Sequence, residues 1–92
     1  MRIVKEFAIE EIQVTVFRME QRFTMKLEWN RMEQVFKLDA RDGVESLDDV
    51  LIIIDQHFIQ NVREAFEIMI KNKSQRLAAI QEMTGEDFPE II

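Results

Sequence analysis

Residues 22 to 29 alternate without an error: Phe23, Met25, Leu27 and Trp29 are apolar, while Arg22, Thr24, Lys26 and Glu28 between them are polar or charged. A period of two marks a strand with one face buried and one in solvent. Residues 32 to 39 continue the pattern, with Met32, Phe36 and Leu38 on one parity and Glu33, Lys37 and Asp39 on the other. A two-residue turn at Asn30-Arg31 then sets Trp29 opposite Met32, Leu27 opposite Gln34, Met25 opposite Phe36 and Phe23 opposite Leu38. The shared face is apolar at every position except Gln34, and Asn tolerates the positive φ of such a turn.

The same construction extends backwards. A turn at Glu20-Gln21 pairs Val16 with Met25, Val14 with Leu27 and Ile12 with Trp29. One at Glu10-Glu11 pairs Ile9 with Ile12 and Phe7 with Val14, and leaves Ile3 on the same inner face. Glu-Glu and Glu-Gln are poor residues for a primed turn, so longer loops or a bulge compete there. The expectation is a four-stranded antiparallel meander over residues 1–39.

After a linker containing Asp42-Gly43, the period becomes helical. Leu47, Val50, Leu51, Ile54, Phe58, Val62, Ala65, Phe66 and Met69 form one stripe, Ser46 is a candidate N-cap, and Asp48 and Asp49 fall where the helix dipole favours anions. No Gly or Pro occurs from 46 to 84. The reading is therefore α+β: a meander followed by a long amphipathic C-terminal helix, continuous or broken near 72–74, ending in an acidic tail at 85–92. A chain of 92 residues, 47% hydrophobic with two Gly and one Pro, is read as a single domain.

Charge and composition narrow the chemistry. Twelve basic and eighteen acidic residues give a net charge of −6, which repels phosphate backbones and anionic membranes. With no cysteine there is no thiolate nucleophile, disulfide or Cys-based zinc site. Charged residues interrupt the N-terminus before a signal-peptide core could form, and the longest apolar run, Val50 to Ile54, is far short of a membrane span. The expected setting is cytoplasmic.

His57 stands alone, with Ile53, Ile54, Gln60 and Asn61 as its helical neighbours. The carboxylate pairs Glu10-Glu11, Asp48-Asp49 and Glu86-Asp87 fall in a turn, a helix start and the tail. No catalytic constellation or phosphate loop emerges, and no cofactor or metal is expected.

Surfaces remain as the carriers of function. Phe17 and Met19 point to the outer sheet face beside Thr15, Thr24 and Val35, with Arg2, Arg22, Lys26 and Lys37 among them. Ile52, Ile53, Ile59, Ile68 and Ile70 lie off the main helical stripe, and a helix of this length overhangs eight-residue strands, carrying Leu77 and Ile80 beyond them. The leading expectation is a non-enzymatic protein-interaction module acting as a homodimer. Its candidate surface comprises Phe17, Met19, Arg22, Lys26, Lys37, Ile52, Ile59, Leu77 and Ile80. The alternative is a single-stranded nucleic-acid binder on the outer sheet face, because the expected architecture is similar to that of Pur-alpha-like and Whirly-like repeats and the face mixes cations with Phe17. Glu6, Glu28, Glu33 and Asp39 on that face nearly cancel its positive charge.

Overall fold

The computed structural model describes residues 1–85, with side chains described to residue 82. Strands β1 (Arg2–Ile9), β2 (Ile12–Met19), β3 (Arg22–Trp29) and β4 (Met32–Leu38) form one antiparallel sheet in sequence order. A 3₁₀ turn (Ala40–Asp42) leads to α1 (Leu47–Ile53) and α2 (Gln56–Gly85). The tail after Gly85 lies outside the described residues.

The register follows the apolar alternation. Val14 faces Leu27, Val16 faces Met25, and Met25 also faces Phe36 across β4. Even the Glu-rich turns stay at two residues: Glu10 and Glu11 take φ of 49° and 73°, Asn30 and Arg31 of 51° and 65°, and Glu20 of 58°. Holding a non-glycine residue at positive φ costs about 1 kcal/mol. Glu11→Gly is therefore expected to raise the stability by about that amount, read as a higher urea midpoint at unchanged slope; a lower midpoint would mean that the Glu11 side chain supports the turn.

The structure departs from the expected β1. A bulge between Ile3 and Lys5 places Ile3 opposite Phe17 and Arg2 opposite Arg18. Ile3 therefore joins the outer face, 54% exposed, Arg2 leaves it, and Val4 packs against the core. One extra residue reverses parity on its far side.

The helical layer also differs from one continuous rod. It breaks at Ile54-Asp55, and α2 runs without interruption through Asn72–Ser74. Val50 to Ile54 is a run with four β-branched residues, which favour helix less than straight chains do. Asp55 then restarts the helix, its Oδ1 accepting from the Phe58 N–H at 2.8 Å. The restart resets the helical phase. Ile59, expected off the stripe, is 2% exposed and belongs to the core with Val62 and Phe66.

The core is the inner sheet face (Ile12, Val14, Val16, Phe23, Met25 and Leu27) under Val44, Val50, Ile59, Val62 and Phe66. α2 runs antiparallel to β4. Phe58 meets Phe36 with ring centroids 5.4 Å apart, and Phe66 meets Trp29 edge-on at 5.9 Å near the hairpin end. Gln34, the polar exception on the inner face, donates its amide Nε2–H to the Val62 carbonyl at 3.0 Å. At the same end of the sheet, Arg63 stacks over Trp29 and pairs with Glu10, whose other carboxylate oxygen accepts from Gln56.

Candidate interaction surfaces

The outer face is built by strand parity and has no layer of described residues over it. Ile3, Phe17, Thr24 and Lys37 form one transverse row, and Glu6, Thr15, Lys26 and Val35 the next. Met19 faces Arg22 at the end that adjoins the 3₁₀ turn. The structure thus brings Phe17, Met19, Arg22, Lys26 and Lys37 onto one surface, as alternation implied. Thr15 is only 4% exposed, because longer neighbours close over a short side chain in the middle of the face.

Of the cations there, Lys26 is engaged by its neighbours. Lys26 Nζ sits 5.7 Å above the Phe17 ring and 3.5 Å from a Glu28 carboxylate oxygen. Phe17 is therefore covered by its own neighbour, and a base stacking on it would first have to displace Lys26. Arg41 grips Asp39 at 2.9 Å, and the hydrogen bonds from Arg41 are the main cause holding the Asp39 carboxyl below its ordinary pKa, with nearby Arg22 a minor one. A concavity of about 490 Å³ opens between these groups, lined by Met1, Met19, Arg22, Lys37, Asp39 and Arg41 among others.

The second surface is the helical layer. Ile52 and Ile68 are 73% and 70% exposed, on α1 and on the side of α2 turned away from the sheet. Every residue from Lys71 to Ala78 is exposed, because the thirty residues of α2 reach about 45 Å at 1.5 Å each while eight-residue strands reach about 27 Å. At about 100° per residue, Leu77 and Ile80 continue the stripe of Val62, Phe66 and Met69 past the end of the sheet. They are 47% and 60% exposed. On the same count Lys73 falls within the stripe between Met69 and Leu77, Arg76 lies at its edge and Lys71 on the opposite side. Of the apolar helical positions expected at a surface, Ile52, Leu77 and Ile80 are there, and Ile59 is not.

Alternation alone could not show that Ile3 joins the outer face, since Ile3 and Val4 are both apolar and either parity reads as a strand. Ile68 escaped the candidate surface although its position off the stripe was legible. His57 is exposed at the start of α2. Among the described residues no three His, Cys, Asp or Glu side chains gather as a metal site, and no helix is long and apolar enough to cross a membrane. No protein-family model, curated protein or solved structure matches this chain.

Proposed function

We propose that the chain is a non-enzymatic protein-interaction module that works as a homodimer in the cytoplasm, with the outer sheet face left to meet a partner. The observation that carries this reading is the apolar surface left on the helical layer, where Ile52 and Ile68 are more than two-thirds exposed and Leu77, in line with the α2 core stripe beyond Lys73, is 47% exposed. Covering one such side chain is worth about 1.5–3 kcal/mol. A two-fold pair would cover such side chains on both copies with one kind of contact. The single-strand nucleic-acid reading fits less well, since Lys26 occupies the Phe17 ring and the net charge is −6.

Light scattering on a dilution series tests the dimer. The expected result at micromolar concentration is twice the 11.0 kDa chain mass, falling towards one chain on dilution; a single-chain mass at every concentration overturns the reading.

A further inference from the structure

Among the described residues no strand lies beyond β4, which is an edge of the sheet. The two-residue turn makes Trp29 and Met32 the pair that exchanges both backbone hydrogen bonds, so Met32, Gln34, Phe36 and Leu38 direct their N–H and C=O groups to β3. Glu33, Val35 and Lys37 direct theirs outward. No proline, glycine or bulge interrupts β4, whereas the opposite edge is broken by the bulge at Val4. A straight edge is a template for another strand, and its charges select a strand that can pair them.

The side chains of β4 say which strand fits. We infer that β4 pairs antiparallel with β4 of a second copy about a two-fold axis through Val35, joining the two sheets into one of eight strands; this deepens the homodimer reading and rests on it, placing the two-fold contact at the sheet edge rather than on Ile52 and Ile68 of the helical layer. In that register Glu33 lies opposite Lys37 of the second copy and Lys37 opposite its Glu33. Val35, 50% exposed in the single chain, meets its own copy between the two ion pairs. The three outward-facing residues meet as hydrogen-bonded pairs, which completes the ladder.

Neighbouring registers lose this match. Moving the centre by one residue sets Val35 against Glu33 or Lys37, and moving it by two sets Glu33 against Glu33 or Lys37 against Lys37. Directly opposed like charges destabilise a strand pair. On the inner face the junction covers Met32, Phe36 and Leu38, which stay half-buried because β4 is the last strand.

The test is a charge swap read by sedimentation or light scattering on the full chain. Glu33→Lys sets like charges opposite Lys37 twice per dimer and should raise the dimer dissociation constant at least about tenfold, as should Lys37→Glu. The double variant Glu33→Lys/Lys37→Glu restores both pairs and should return to within about threefold of the starting value. Glu33→Lys is safe for the fold, because Glu33 faces Glu28 within its own sheet. Val35→Pro removes an outward N–H that the single chain does not use, and should weaken the dimer also. A dimer untouched by Glu33→Lys, Lys37→Glu and Val35→Pro overturns the β4 edge while leaving the homodimer standing. A wild-type chain that is monomeric throughout overturns both.

Discussion

Phe66→Ala is expected to remove about 3–5 kcal/mol of folding stability, the largest loss of any single truncation in the helical layer. Phe66 is 0% exposed, lies in the core stripe of α2, and meets Trp29 edge-on at 5.9 Å. Cutting it to alanine leaves a cavity where α2 crosses the hairpin end, and the strands beneath cannot close it without losing register. A domain of this size holds about 5–14 kcal/mol in all, so the variant should be partly unfolded at moderate temperature. Urea unfolding followed by far-ultraviolet circular dichroism checks this, with Glu67→Ala, one residue along and exposed, as a control expected to move by less than about 0.5 kcal/mol. A loss for Phe66→Ala under about 1 kcal/mol would show that α2 does not sit on the sheet in this way.

Gln34→Glu should cost about 2–3 kcal/mol at pH 7, and the cost should shrink on acidification. The Gln34 amide donates to the Val62 carbonyl from the half-buried inner face. A carboxylate there can only accept, so it would set charge against a carbonyl oxygen with no donor between them. Its folded-state pKa is thereby raised above the ordinary Glu value of about 4.3. Stability is then lost as the pH rises through the unfolded and then the folded pKa, and recovered on the way down, when the protonated acid can donate an O–H in place of the amide. The wild type moves the opposite way. Asp49 is held below its ordinary pKa chiefly by the Glu45 backbone N–H, and Asp39 by hydrogen bonds from Arg41. Depressed carboxylates stabilise the fold above pH 3.8 and lose that contribution as the pH falls through their folded values. The measurement is therefore the difference between variant and wild type at each pH, which should narrow from pH 7 to pH 4.5. Gln34→Leu, which keeps the volume and leaves Val62 with its helical hydrogen bond, should cost less than Gln34→Glu at pH 7. A difference that stays flat with pH would mean that the carboxylate reaches water.

Much of this fold is legible in the sequence, for a physical reason. In β2, β3 and β4 one face is buried and the other is not, so slipping the register by one residue would turn Val14, Met25 and Phe36 into solvent; alternation and register are then the same information. That logic fails at Ile3-Val4, where both parities are apolar and the bulge leaves no mark in the pattern. It fails again at Ile54-Asp55. There is no Gly or Pro there to announce a break, and the one local signal, a capping aspartate, is invisible inside an apolar stripe that reads as unbroken. The consequence falls on Ile59, because a helical phase counted from α1 does not carry across the break. The outer-face positions Phe17, Met19, Arg22, Lys26 and Lys37 were legible because parity alone places them. That Lys26 lies over Phe17 depends on rotamers, which spacing does not encode.

The order of the strands also bears on how quickly the native state can be reached. Each strand of the meander pairs with its neighbour in the chain across a turn of two residues, so the sheet can zip from its turns on the microsecond scale of isolated hairpins, about 1–10 μs each, with little loop entropy to overcome. The contacts that span the chain are those seating α2: Gln34 to Val62 across 28 positions and Glu10 to Arg63 across 53. Until that helix docks, the nascent sheet shows both a bare inner face and a bare β4 edge to every other chain in solution. The speed of helix docking, more than that of strand pairing, sets how long the young protein is exposed to aggregation.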